Sequence, residues 1–150
     1  MSERMNFETV PLSELTSRGL AREDDPVKQI VLIVDDEVVI ADTLAAILTR
    51  SGFACMAAYC GEEALEIAQT VAPDLLLSDV AMPGMSGIDL AIALRRLIPS
   101  CKVLLFSGHA SAANMLAQAR DAGSEFTVLQ KPLHPKELLA HISGTLSLAS

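Results

Sequence analysis

The chain has 150 residues, 51% of them hydrophobic, and a formal net charge of −8. That length suits one domain burying about two-thirds of the surface an unfolded chain exposes, and the apolar content excludes wholesale disorder. The negative balance argues against nucleic acid, which would want a basic stripe, and against an anionic membrane surface.

Texture changes near residue 28. Residues 1–28 carry six acids and four Lys or Arg, with Pro11, Pro26 and scattered Leu12, Leu15 and Leu20. They read as an N-terminal arm, flexible or loosely docked, without the apolar stretch of a signal peptide. No apolar run is long enough to cross a bilayer, so a cytoplasmic address is expected. Residues 29–150 read as the folded domain.

From Gln29 onward strands and helices alternate. Ile30 to Val34 is a β-branched apolar run, suited to a strand buried on both faces. Ile40, Leu44, Ile47 and Leu48 follow at helical spacing, ended by Gly52. Phe53 to Tyr59 predicts a second strand, and Ala64, Ile67, Ala68 and Val71 a second helix from Gly61. Asp74 to Ser78 predicts the third strand. Leu90, Leu94, Leu97 and Ile98 mark a helix stopped by Pro99. Val103 to Phe106 is the fourth strand. A helix marked by Ala112, Met115, Leu116 and Ala119 ends near Gly123. Phe126 to Gln130 is the fifth strand. Pro135 suits a first helical position, and Leu138, Leu139, Ile142 and Leu146 form the last apolar stripe. Cys55, Cys60 and Cys101 are odd in number, lack paired spacing and read as reduced apolar residues.

Five βα units with short connections predict an α/β fold, a parallel sheet with helices on both faces. Ligands then bind beyond the carboxyl ends of the strands, where strand order reverses. The residues just past those ends are Asp35, Asp36 and Glu37, then Asp79, then Ser107, then Lys131 before Pro132. Parallel topology brings them to one rim. Clustered carboxylates there need a counter-charge, and a hard divalent cation such as Mg²⁺ suits a few carboxylates plus water. An open face on it would attract a phosphoryl group, with Lys131 and Ser107 holding oxygens and a carboxylate as nucleophile.

The stretches VLIVDDE, LLLSDVAMPGMSGIDL, VLLFSG and LQKP, in order and each at a strand end, resemble the four signatures of the bacterial response-regulator receiver domain. GEEALEIAQTVAPDLLLSD resembles the same family between its second and third strands. The likeness runs from about Gln29 to the C-terminus. It implies a CheY-like, flavodoxin-like fold with strand order 2-1-3-4-5. It also implies Asp79 as phosphoacceptor, with Asp36 and Asp79 as direct Mg²⁺ ligands, Asp35 acting through water and the Ala81 carbonyl completing the set. Lys131 would pair with Asp79 and then the phosphoryl group. Ser107 would swing toward a phosphoryl oxygen, and Lys131–Pro132 would be cis.

The resemblance further implies a histidine kinase or histidine phosphotransfer protein as donor, with self-catalysed phosphorylation and dephosphorylation but no other enzymatic activity. No output domain follows the last helix, so the chain reads as stand-alone. Its output would pass to an unknown downstream protein, to a phosphotransfer partner, or into a homodimer. The family's usual surface for this is the fourth helix, fifth strand and last helix. Neither nucleic acid nor membrane is an expected partner. Two departures stand out. Val128 occupies the position, three before the Lys, where the family usually carries a switching aromatic. Ala81 and His109 occupy the positions that tune dephosphorylation.

Other readings of the same residues are weaker. Asp35 and Asp36 alone would read as an N-cap, but Asp79 and Lys131 at matching strand ends favour the pocket, with Asp36 suited to both tasks. Ser107 competes with a plain turn residue. His109, His134 and His141 read as surface or capping residues. A phosphatase of the haloacid dehalogenase type would want Asp-x-Asp after the first strand, and a flavodoxin would want a hydroxyl-rich loop and flanking aromatics. A receiver fold serving as an interaction module without phosphorylation is the remaining alternative, invited by Val128.

Overall fold

A computed structural model describes residues 27–108, 117, 120, 126–132 and 134–147. Residues 1–26 of the arm expected over 1–28, His109, and most of the helix expected around Ala112 to Ala119 lie outside the described residues. Ala117 and Arg120 are described and helical.

Five parallel strands, β1 (Ile30–Val34), β2 (Ala54–Ala58), β3 (Leu75–Asp79), β4 (Lys102–Ser107) and β5 (Thr127–Gln130), form one sheet in the order β2-β1-β3-β4-β5. The described helices are α1 (Val38–Arg50), α2 (Gly61–Thr70), α3 (Gly87–Leu97) and α4 (Pro135–Ser147). This is the expected fold and strand order.

The sheet is held by burial on both faces. Alternate residues of a strand point to opposite faces. Thus Leu32, Val34, Leu76 and Leu105 join one core with α2 and α3. Val31, Ile33, Leu75, Leu77, Leu104 and Phe106 join the other with α1 and α4. β3 is buried along its whole length, whereas the edge strand β5 exposes two of its four residues. Each fully buried Leu contributes about 1.5–3 kcal/mol, so the three central strands form the rigid frame on which the carboxyl rim stands.

Local chemistry sets the element ends. Gly52, at φ +105°, follows α1 in a backbone region that side chains disfavour. Ser86 Oγ accepts from Asp89 N at 3.1 Å and starts α3. Asp74, expected inside the third strand, lies just before it. Its carboxylate accepts from Ile30 N at 2.7 Å and pins the starts of β1 and β3 together.

β3 instead runs one residue further, so Asp79 is its final residue. β2 is one residue shorter at each end than Phe53 to Tyr59. Val71 and Leu97, expected on apolar stripes, are exposed at helix ends. Both stand at the C-terminal ends of their helices, where periodicity no longer reports burial. Lys131–Pro132 is cis.

Candidate functional site

Strand order reverses between β1 and β3, and four strand ends converge beside that point. Val34 pairs with Ser78, Asp79 with Phe106, and Ser107 with Gln130. Asp35 directly follows β1, and Lys131 directly follows β5. Lys131 N donates to Ser107 O at 3.0 Å, and Val80 N donates to Phe106 O at 3.0 Å, so the ladder extends past the strands and fixes the rim.

On that rim Lys131 Nζ lies 3.3 Å from Asp35 Oδ2 and 3.5 Å from Asp79 Oδ2. Asp35, Asp36 and Asp79 each offer a carboxylate oxygen within 4.8 Å of the others. Asp35, Asp79 and Ser107 are buried, Asp36 is exposed and Ala81 is half-buried. Five of the six expected site residues therefore sit at adjoining strand ends, and Ala81 lies two residues beyond Asp79.

The expected cap at Asp36 is corrected. The capping position of α1 is Glu37, whose side chain makes no cap bond. Asp35 Oδ1 instead accepts from Glu37 N at 2.9 Å. This leaves the exposed Asp36 carboxylate without a capping task.

Electrostatically the pocket is unsettled. Burial pushes the Asp79 carboxyl above its ordinary value, Lys131 opposes this, and the Asp35 charge adds to it. Burial likewise raises Asp35 against the Glu37 amide and Lys131. Burial works to lower Lys131, but the charges of Asp79 and Asp35 outweigh it and its net direction is up. Among the described residues, Asp79 Oδ1 is buried with no hydrogen-bond partner. A buried acceptor left this way is costly. An orphaned anionic oxygen among three hard oxygen donors, with one ammonium between two of the acids, fits a divalent cation.

This gives a signed pH dependence. An acid whose folded pKa exceeds its unfolded value costs stability as pH rises from its ordinary value, 3.8, through the raised one. Metal-free protein should therefore lose stability across that window on account of Asp35 and Asp79. A divalent ion should restore it where the acids are ionised. At a hundredfold excess over its dissociation constant, Mg²⁺ should raise Tm by about 5–10 °C at pH 7.5. At pH 4.5 the shift should be much smaller. Thermal scans showing equal shifts at both pH values would remove the carboxylates from the explanation.

Sequence reasoning missed two neighbours of the pocket. Phe106 lies beneath Lys131, with Nζ 5.2 Å from the ring centroid. Gly87 approaches Asp79 so closely that an added Cβ would sit 2.0 Å from the Asp79 carbonyl oxygen. A buried Phe and a glycine after a turn carry no distinguishing signal in a single sequence.

A doubly wound sheet in this order, with acids and a lysine at its carboxyl rim, defines a CheY-like protein. The chain belongs to the response regulator receiver domain family, whose sequence profile matches residues 31–143. Receivers of this family are phosphoacceptor signalling modules of two-component systems.

The DNA-binding response regulator MtrA of Mycobacterium tuberculosis is 29% identical over 122 residues, which are 81% of this chain and 52% of that one. The phosphate regulon regulator PhoB of Pseudomonas aeruginosa is 32% identical over 118 residues, 77% of this chain and 51% of that one. The chain thus spans about half the length of these curated relatives.

Among solved structures, chemotaxis protein CheY4 of Vibrio cholerae superposes with TM-score 0.71 at 28% identity, covering 79% of this chain and 99% of that one. A CheY-like receiver from Methanospirillum hungatei gives 0.74 at 29%, covering 82% and 97%. The expectation that nucleic acid is no partner finds no support among relatives named as DNA-binding. No helix among the described residues is long and apolar enough to cross a membrane.

Proposed function

We propose that this receiver takes a phosphoryl group from a phosphohistidine onto Asp79, in a Mg²⁺-dependent reaction, and signals through the resulting change at its surface. The observation that carries the reading is the convergence of Asp35, Asp36, Asp79 and Lys131 on one rim, with Asp79 Oδ1 buried and, among the described residues, unpartnered. Residues 29–150 form the receiver in this reading, and residues 1–28 the arm. Its place is the cytoplasm, and its donor a histidine kinase or a histidine phosphotransfer protein.

Asp36 and Asp79 would hold the Mg²⁺ directly, with the Ala81 carbonyl, and Asp35 through water. When bound, the ion would draw a phosphoryl group toward Asp79 and offset its charge. An Asp79 carboxylate oxygen attacks phosphorus, an O–P bond forms, and the N–P bond of the donor breaks. The departing imidazole takes its proton from solvent. Lys131, held between Asp35 and Asp79, neutralises charge on the phosphoryl oxygens. Ser107, buried at the end of β4, supplies a hydroxyl to another. β3 is buried throughout, so the nucleophile is delivered on a rigid strand rather than a loop.

The test is labelling of the intact chain with a small phosphodonor such as phosphoramidate, read by mass. One phosphoryl group should add with Mg²⁺ present, and chelation should slow the reaction by at least about tenfold. Native chain that never labels in Mg²⁺ overturns the reading.

Val128 favours one rival. It is half-buried against the α2–α3 face of the core, where it provides no ring to swing. A receiver that labels yet binds its partner equally with and without the phosphoryl group would be an interaction module instead. Relatives of this chain include both CheY-sized proteins and regulators twice as long. The proposed output is a surface, used by a downstream protein or by a second copy through β5 and α4.

A further inference from the structure

We infer that Phe106 is a positioning residue for Lys131, its ring face holding the ammonium over the acidic pocket by a cation–π contact. This rests on the reading of Lys131 as the group that meets the phosphoryl oxygens.

Phe106 is fully buried and belongs to the core on the α1–α4 face. By burial alone it is a space-filling core residue. Three observations give it more to do. Lys131 Nζ sits 5.2 Å from its ring centroid, inside the range where the negative face of an aromatic ring attracts a cation. Phe106 also pairs in register with Asp79, and its carbonyl accepts from Val80 N at 3.0 Å. The ring is therefore fixed to the strand end that carries the acid. Finally, Phe106, Lys131 and Pro132 line a cavity of about 450 Å³ together with Val39, Ile40 and Leu44 of α1. The lysine stem thus lies along apolar surface, with its head 3.3 and 3.5 Å from the two acids.

A lysine stem has four carbons and much rotamer freedom. In the resting pocket Asp35 and Asp79 restrain it. Once those acids engage a cation and a phosphoryl group, their hold on Nζ weakens, at the stage when the ammonium must be in place. The ring face does not titrate, binds neither cation nor phosphoryl group in this scheme, and keeps its attraction throughout. Leu at this position would fill much of the space but offer no negative face.

The test places 4-fluoro-, 3,5-difluoro- and 3,4,5-trifluorophenylalanine at position 106 of the full chain. Fluorination drains the ring face stepwise with little change of shape. The Mg²⁺-dependent labelling rate should fall stepwise, by about five- to tenfold overall, while half-saturation by Mg²⁺ stays put. Phe106→Leu, a second route if a fluorinated chain melts early, should lose rate to a similar extent with the same Mg²⁺ half-saturation. A flat fluorination series, or a change confined to Mg²⁺ affinity, makes Phe106 plain core and overturns the inference. That outcome is separable from failure of the functional reading, in which the unsubstituted chain itself does not label.

Discussion

Asp79→Asn should abolish phosphoryl labelling, by at least about 10³-fold, while leaving a folded protein. The amide has no anionic oxygen to attack phosphorus, and removing a nucleophile outright commonly costs this much or more. Loss of fold is the rival explanation for any dead variant, and here the physics separates the two. Asp79 is a buried carboxylate whose ionisation is opposed by burial and by the Asp35 charge. Replacing it with a neutral amide of the same shape removes that opposition. The loss of its 3.5 Å ion pair is cushioned because Lys131 keeps Asp35 at 3.3 Å. Metal-free Asp79→Asn should therefore melt no earlier than the unsubstituted chain at pH 7.5, and should lose much of the Tm increase with Mg²⁺. Full labelling of this variant would show that another side chain receives the phosphoryl group.

The rim was legible because its residues sit where chain chemistry changes abruptly. β1, β3 and β4 are short apolar runs ended by Asp35, Asp79 and Ser107. A run that needs two buried faces leaves few alternatives to a central parallel strand. Once those strands are parallel, the residues just past them must share an edge, and Lys131 joins them by the same rule. What stayed hidden depends on contacts between residues far apart in the chain. Glu37 rather than Asp36 occupies the capping position of α1, with its side chain making no cap bond, and the Asp35 carboxylate accepts from the Glu37 amide. Val71 and Leu97 fit a helical stripe yet are exposed at the ends of α2 and α3. Phe106 reads as one more core residue until Lys131, 25 positions later in the chain, is seen above its ring. Val128 stands where the family usually carries a ring, and it packs half-buried against the core.

Gly87→Ala should be the most damaging single-methyl change near the pocket. Gly87 opens α3, and its N–H donates to Val80 O at 2.9 Å, folding the Met82-Pro83-Gly84 turn back over β3. A Cβ there would lie 2.0 Å from the Asp79 carbonyl oxygen and 2.9 Å from its carbonyl carbon. Both are backbone atoms of a strand buried along its full length, so neither can rotate away as a side-chain tip would. Either α3 lifts from β3 or the end of β3 shifts. Overpacking of this kind costs about 3 kcal/mol or somewhat more, which for a chain of this size is a Tm drop of roughly 6–12 °C. Displacing the proposed nucleophile, Asp79, by even about 1 Å can cost about 10²-fold in rate. Labelling should thus fall more than the lost stability explains when measured well below the melting range. Gly144→Ala supplies the control. It lies within α4, an added Cβ meets nothing within 4 Å, and relief of glycine's backbone entropy should stabilise the chain by about 0.5–1 kcal/mol with the labelling rate untouched. If Gly87→Ala melts and labels like Gly144→Ala, the approach of α3 to Asp79 is looser than these contacts require, and the rim is not held in place by that turn.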